Sequence, residues 1–211
     1  MKTQKLFSRD FTMVVIGQII SLLGNAVLRF ALPLYLLNET RSAALFGVVS
    51  ACSFIPMIIL SPSGGIVADR VNKRNIMVVL NFCTAAIALI YTLLVGKIDL
   101  TALTIATLIL LYGIQGAYSP SVQASIPALV SDEQLIPANS VITLVNSLSS
   151  LIGPVIGGAV FGFWGIKPVL EMGIICFFAS AVMEIFIHIP FEKKQNSKGI
   201  LATVKGTWRT A

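Results

Sequence analysis

Charged residues are scarce in this chain. Asp, Glu, Lys and Arg together make up 11% of its 211 residues, whereas a soluble domain of this size carries roughly a quarter. Hydrophobic residues account for 56% of the chain. This balance excludes an ordinary soluble domain and indicates that most of the chain contacts lipid or other apolar helices.

The groups that enzymes and metal sites use are scarce as well. The chain has one histidine and three cysteines, and no cluster has the spacing of metal ligands. No nucleophile lies near a plausible base, so a membrane enzyme is the least favoured class. A phosphate-binding loop of the P-loop type is absent, which argues against direct use of ATP. We predict no metal and no cofactor, and we expect Cys52, Cys83 and Cys176 to be ordinary buried thiols.

Six apolar segments are long enough to cross a bilayer, which takes roughly 20 residues. They do not alternate apolar with polar residues, as the strands of a membrane barrel would. The predicted fold is therefore an all-α membrane protein, with a six-helix bundle over residues 1–190 and a cytoplasmic segment over 191–211. The six spans are expected at about 11–37, 43–66, 75–95, 101–126, 137–163 and 168–190.

The positive charges lie mostly on one side of these spans. Three bases precede the first span, three lie between the second and third, and five follow the sixth, whereas Arg41, Lys97 and Lys167 are the bases on the opposite side. Short loops rich in Lys and Arg remain in the cytoplasm. The pattern predicts a multi-pass protein of the cell membrane with both termini in the cytoplasm.

A basic stretch over residues 64–74 joins the second and third predicted spans. It resembles the best-known signature of the major facilitator superfamily of secondary transporters, Gly-x-x-x-Asp-Arg-x-Gly-Arg-Lys/Arg. Asn72 stands where that family usually has Gly, and we expect the turn to survive because Asn tolerates positive φ. The resemblance implies a conformational latch that holds the outward-facing state; the alternative is a charge run that only sets topology. The latch residues would be Gly65, Asp69, Arg70, Lys73 and Arg74.

The spans also divide into two groups of three. Pro62 and Gly65 mark the end of the second span, and Pro154 and Gly158 mark the fifth. Because three is odd, the second triplet is inverted relative to the first. Two inverted three-helix repeats build each half of a major-facilitator transporter. The chain is therefore similar to the N-terminal half plus the start of the central loop, either as a fragment or with a second six-span half from another chain.

Polar residues form stripes at helical spacing within the first, fourth and fifth spans. Such stripes face the bundle interior or a wet cavity, since polar groups in lipid lack partners. We predict a substrate pathway lined by the first two; the alternative is interhelical hydrogen bonding worth about 0.6 kcal/mol per contact. The stripes are Gln18, Ser21, Asn25 and Arg29, then Tyr112, Gln115, Ser119 and Gln123, and then Asn139, Thr143, Asn146, Ser150 and Pro154.

Charged residues inside the spans are candidates for function. Arg29 could bind an anionic substrate group or pair with an acid such as Glu171, and the alternative is that it reaches toward the outer interface. Glu184 lies one turn before His188 on the same face of the sixth span. We favour an interfacial pair near the cytoplasmic surface for these two residues, with a protonation role as the alternative.

Two further motifs are similar to those of drug–proton antiporters. Residues 153–158 match the fifth-span pattern Gly-Pro-x-x-Gly-Gly, which predicts helix packing or a hinge at Pro154, Gly157 and Gly158. The fourth-span pattern Arg-x-x-Gln-Gly is matched by Gln115 and its neighbour, but Tyr112 replaces the Arg and cannot supply a fixed positive charge. Residues 31–34 and 126–129 look most like bacterial members related to macrolide and enterobactin exporters.

The resemblance predicts a secondary transporter that works by alternating access. It implies export of amphipathic small molecules, either drug-like or siderophore-like, coupled to an ion gradient with the proton as the expected ion. The partners implied are the substrate, the ion, the bilayer and a second six-span half, without nucleic acid. An importer of the same fold and a non-transporting half that acts as a scaffold are the alternatives.

Overall fold

The computed structural model of the chain describes residues 8–187, except for the side chains of residues 63–70. Its secondary structure is helical, with no strand among the described residues. The predicted segment 191–211 and His188 lie outside them. The helices are α1 (Arg9–Thr40), α2 (Ala43–Cys52), α3 (Phe54–Arg70), α4 (Lys73–Leu94), α5 (Leu100–Leu129), a 3₁₀ turn (Asp132–Gln134), α6 (Leu135–Trp164) and α7 (Ile166–Ile185).

Six helical segments in the described part are long and apolar enough to cross a membrane. Helices α2 and α3 together form span 2, and α1, α4, α5, α6 and α7 form spans 1, 3, 4, 5 and 6. The prediction of an all-α membrane protein with six spans is confirmed. Helix α3 continues past the expected end of span 2 at residue 66 and reaches Arg70.

Short polar residues set several of the helix ends. The side chains of Ser8, Ser42, Asn72 and Asp99 each accept a hydrogen bond from the first turn of the helix that follows. Gly165, with φ of 80°, separates α6 from α7. These caps satisfy N–H groups that would otherwise lack partners where spans 1 to 4 begin.

The expected positive φ of Asn72 is wrong. Asn72 has φ of −60° and ψ of 114°, and its side-chain oxygen accepts a hydrogen bond from the backbone N–H of Arg74 at 3.1 Å. Because α3 runs to Arg70, only two residues connect it to α4, and the second of them serves as the N-cap. Asn suits this position for its capping side chain rather than for backbone freedom.

Packing in the bundle follows the inverted repeat. Span 1 packs extensively on spans 5 and 6, and span 4 packs on spans 2 and 3. Span 1 also packs on span 4, and span 3 packs on span 6. Exchanging span 1 with 4, 2 with 5 and 3 with 6 leaves this set of contacts unchanged. The two predicted inverted three-helix repeats are therefore present.

Burial follows the same pairing of spans. Within their most apolar windows, 61% of span 1 and 50% of span 4 are buried, against 33% and 39% for spans 3 and 6. Spans 2 and 5 are the least buried, at 11% and 22%. Spans 1 and 4 thus form the centre of this bundle. The expectation of buried cysteines is wrong for Cys52 and Cys83, which lie exposed on spans 2 and 3.

Glycines allow the closest helix contacts, again in corresponding places. A Cβ at Gly116 in span 4 would lie 2.8 Å from the carbonyl oxygen of Met57 in span 2. A Cβ at Gly157 in span 5 would lie 3.0 Å from that of Val27 in span 1. A Cβ at Gly158 would lie 3.2 Å from a ring carbon of Phe30. Small residues here let the backbones approach, which is the main way that helices associate in lipid.

Candidate functional site

A cavity of about 410 Å³ lies between spans 1, 2, 4 and 5. It is bounded by the two central spans and by the two least buried ones, so it occupies the middle of the inverted repeat. Nine of its thirteen lining residues have polar side chains, although the surrounding helices are apolar. The polar lining includes Asn25, Arg29, Gln115, Ser119, Asn146 and Ser150.

Arg29, which lines this cavity, lies on the ring of Tyr112. The guanidinium carbon is 3.5 Å from the centroid of the Tyr112 ring and 5.6 Å from that of Phe54. The two rings form an edge-to-face pair with centroids 4.7 Å apart. An aromatic face attracts a cation, and the contact gains strength away from water. Within the described part of the chain, Glu171 is exposed and forms no ion pair with Arg29.

The start of α3 explains why Phe54 reaches this contact. Ser53 separates α2 from α3, and the carbonyl of Val49 accepts hydrogen bonds from both its backbone N–H and its hydroxyl. The polar groups of Ser53 at this break therefore have partners within the protein and need no water. Arg29 itself lies about 16 Å along α1 from the helix end at Thr40. Two rings contact its charge at this depth, which favours a position inside the bundle over the alternative of a reach toward the outer interface.

One turn earlier on α1, Asn25 pairs with span 4. Its side-chain N–H donates to the side-chain oxygen of Gln115 at 2.9 Å. The side-chain oxygen of Asn25 is buried and has no hydrogen-bond partner among the described residues. A buried acceptor of this kind favours a donor from a bound molecule or a water. Facing each other, the stripes of spans 1 and 4 thus offer a cation and an acceptor to the same cavity.

The other residues of the two stripes are placed differently. Ser21 donates to the side-chain oxygen of Asn81 in span 3 at 2.7 Å, away from the lining of the cavity. Gln18 is buried, and its side-chain oxygen lacks a partner in the described part. Ser119 lines the cavity, whereas Gln123 is exposed. The structure therefore brings together Asn25, Arg29, Tyr112, Gln115 and Ser119.

The stripe of span 5 divides as well. Asn146 and Ser150 line the central cavity, and Asn139 and Thr143 line a shallower one nearby. Asn146 donates to the carbonyl of Ile142 at 3.0 Å, one turn back on its own helix. Asn139 and Thr143 therefore lie away from the contacts between spans 1 and 4.

The predicted latch lies where α3 and α4 meet. Gly65, Asp69 and Arg70 belong to the last turns of α3, and their side chains are outside the described part. Lys73 begins α4, and a guanidinium nitrogen of Arg74 donates to the carbonyl of Ile187 at 3.4 Å. Arg74 thus links the start of span 3 to the end of span 6.

A second polar cluster was missed by the stripes. The Glu184 carboxyl is fully buried, and it accepts hydrogen bonds from the Tyr118 hydroxyl at 2.8 Å and from the Asn81 side-chain N–H at 2.9 Å. Ser180 accepts from the same amide nitrogen at 3.1 Å and donates to the carbonyl of Gly17 at 2.8 Å. Glu184 therefore lies inside the bundle, where spans 1, 3 and 4 surround this part of span 6, and its expected pair with His188 falls outside the described residues. Asn81, alone in an apolar run, was the signal available in the sequence.

Comparison with known proteins places these features in a family. The sequence model of the Major Facilitator Superfamily matches residues 14–210. Macrolide efflux protein A of Streptococcus pyogenes is 23% identical over 175 residues, which cover 82% of this chain and 43% of that protein. The staphyloferrin A transporter of Staphylococcus aureus is 24% identical over 178 residues, covering 81% and 44%. The lysophospholipid transporter LplT of Serratia proteamaculans is 28% identical over 184 residues, covering 86% and 44%.

Proposed function

Because this chain belongs to the major facilitator superfamily, we propose that it exports amphipathic small molecules across a bacterial cytoplasmic membrane. Transport would proceed by alternating access, in which two halves rock about a site near the middle of the membrane. An ion gradient, most simply one of protons, would supply the energy. Membership of a family of transporters supports this function over an enzymatic one.

The observation that carries the proposal is the contact of Arg29, which lines the central cavity, with the ring of Tyr112. A cation held on two aromatic rings keeps its donors free for a ligand, because ring faces occupy none of its N–H groups. Apolar side chains such as Leu22 and Met57 lie in the same wall. The cavity suits a molecule with an apolar body and an anionic or strongly accepting group.

The name of one relative supports export, and the names of all three support a range of amphipathic substrates. One is called an efflux protein, and the others are called transporters of a siderophore and of a lysophospholipid. The chain spans less than half of the length of each of these proteins. We therefore infer that the transporting unit pairs this six-span bundle with a second one. From the distribution of positive charges we also infer that both termini of the bundle face the cytoplasm.

The latch would act between the two halves. Asp69, Arg70 and Arg74 would hold the outward-facing state through charge-assisted hydrogen bonds that break in the inward-facing state. Gly65 lies near the end of α3 and Lys73 begins α4, so both flank the connection at which these contacts would form. The link of Arg74 to Ile187 supports this location, because it joins the ends of spans 3 and 6 on the side of the proposed latch.

Flux into oriented vesicles tests the proposal. The chain is expressed alone and together with a candidate second six-span chain, and the probes are a macrolide, a siderophore and a lysophospholipid. Export predicts pumping of at least one probe from the cytoplasmic face, lost in Arg29→Leu and retained in Arg41→Leu. Uptake only from the outer face would favour an importer. A folded protein that moves none of the probes in either combination would favour a scaffold.

A further inference from the structure

The Glu184 carboxyl is a buried acid without a buried base beside it. Span 1 presents the Gly17 carbonyl and the Ser21 hydroxyl to the cluster, span 3 presents Asn81, and span 4 presents Tyr118. No described cation forms an ion pair with Glu184, and Arg74 instead reaches a backbone carbonyl near the end of span 6. His188 lies outside the described residues. An ionised carboxyl in such a place costs several kcal/mol unless its hydrogen bonds and neighbours compensate.

We propose that Glu184 is the proton-binding site of this protein, with Tyr118 and Asn81 as the groups that hold its two forms. The inference rests on the proposed transport function and names the residue that would take the coupling ion. One proton enters from water onto a carboxyl oxygen, and the same proton later leaves to water. No other bond forms or breaks, so no further reactant is required.

The partners of Glu184 suit both forms of the acid. When it is ionised, each carboxylate oxygen accepts one hydrogen bond, from the Tyr118 hydroxyl and from the Asn81 amide. When it is protonated, the new O–H needs an acceptor, and the Tyr118 hydroxyl can turn from donor to acceptor. An Arg or a Lys in place of Tyr118 would fix the carboxylate in its charged form. A hydroxyl allows both the ionised and the protonated form of Glu184.

The same geometry favours a proton over a metal cation. Both carboxylate oxygens already face hydrogen-bond donors, whereas a hard cation needs several oxygen acceptors around it. The site is also closed to solvent, since Glu184, Asn81 and Tyr118 are all buried. A proton requires no additional space.

Protonation at Glu184 would reach the cavity through spans 1 and 4. Ser21 contacts Asn81, and one turn further along α1 Asn25 contacts Gln115. Tyr118 lies on the same helix as Gln115, about one turn away. A change in the bonds of Glu184 therefore acts on the two helices that hold Arg29 and Tyr112, which is the connection that coupling requires.

Infrared difference spectroscopy of the full chain in lipid tests proton binding without relying on transport. The wild type is expected to show a carboxylic acid band that disappears as the pH is raised, and E184Q should lack it. E171Q removes an exposed acid of the same helix and should retain the band. Y118F keeps the carboxyl and should shift the midpoint of the titration, since the ionised form loses a donor. A spectrum of E184Q equal to that of the wild type, or an unshifted midpoint in Y118F, would overturn the proposal.

A transport measurement tests coupling separately. In vesicles, a pH gradient should drive accumulation of a transported probe by the wild type and by E171Q. In E184Q the probe should reach equal concentrations inside and outside the vesicles, an accumulation ratio near one. Movement of the probe down its own gradient should persist. Accumulation by E184Q equal to that of the wild type would overturn the role of Glu184. Absence of flux in the wild type would count against the transport function, and the infrared titration would still decide the proton site.

Discussion

Gly153 of span 5 lies directly against Ala26 of span 1, so close that a Cβ on the glycine would overlap the Cβ of the alanine. The Cβ added at Gly153 would also lie 3.2 Å from the backbone of Ala26. Neither helix can yield without moving the wall of the cavity, because Ala26 lies between Asn25 and Arg29 in sequence and itself lines that wall. The glycine therefore sets the distance between spans 1 and 5.

This contact predicts that Gly153→Ala destabilises the bundle. Overpacking of a close interface typically costs about 1–3 kcal/mol. Gly162→Ala, on the same helix, is the matched control, because nothing lies within 4 Å of a Cβ there. Thermal unfolding in detergent should show a lower midpoint for the first variant and an unchanged one for the second. Equal midpoints for the two variants would contradict the close approach.

Substitution of Tyr112 separates the ring from its hydroxyl. Tyr112→Phe keeps an aromatic face under Arg29 and should retain probe affinity to within about twofold, whereas Tyr112→Leu removes the face. Loss of a cation–π contact worth about 1–2 kcal/mol corresponds to a roughly 5–30-fold weaker affinity if the ring positions Arg29 for the ligand. Binding of a transported probe to the purified chain measures this. Equal affinity in Tyr112→Phe and Tyr112→Leu would show that the ring does not position the cation.

The pair of Asn25 and Gln115 can be measured by a double-mutant cycle. Asn25→Ala, Gln115→Ala and the double variant should give a coupling free energy of about 0.6 kcal/mol, with roughly 1.7 as an upper value for such bonds in membranes. Reversible unfolding in mixed micelles supplies the four free energies. The pair formed by Tyr91 and Thr104, whose oxygens are 3.1 Å apart on spans 3 and 4, is the reference cycle. Additive effects at Asn25 and Gln115 would argue against the contact.

Asp69→Asn tests the latch. Removing the carboxylate should impair transport while the protein still inserts, because a charge-assisted contact is lost in one state only. Asp99→Asn is a suitable control: Asp99 caps α5 by accepting from the backbone N–H of Ala102 at 2.7 Å, and Asn caps a helix equally well. Normal flux in Asp69→Asn would exclude the latch, and impaired flux in both variants would point to a general effect of lost charge.

The spans and their inverted relation could be predicted because they depend on local sequence. The length of each apolar run and the positions of Gly and Pro decide where a span lies and where helices approach. The contact of Arg29 with Tyr112 could not be predicted, although the sequence indicated both residues as candidates for the substrate pathway. It depends on the register of span 1 against span 4 and on the break at Ser53 that brings Phe54 to the pair.

For Asn72 and Glu184, the expectations were based on neighbours in sequence alone. Asn72 caps α4 with a negative φ because α3 runs to Arg70, so the length of a helix decides its role. Glu184 is buried because Asn81 and Tyr118 approach it from other spans. Its surroundings depend on tertiary contacts, which a single sequence does not contain.

Cysteine labelling of the cavity tests the central claim, that spans 1, 2, 4 and 5 enclose a hydrated site. In a chain with its three native cysteines replaced by alanine, Ser150→Cys lies in the cavity wall, and Ile175→Cys lies midway along α7 on an exposed apolar face. A water-soluble maleimide needs a thiolate in contact with water. The account predicts rapid labelling of residue 150, slowed by a transported probe, and little labelling of residue 175. Faster labelling at 175 than at 150 would contradict it.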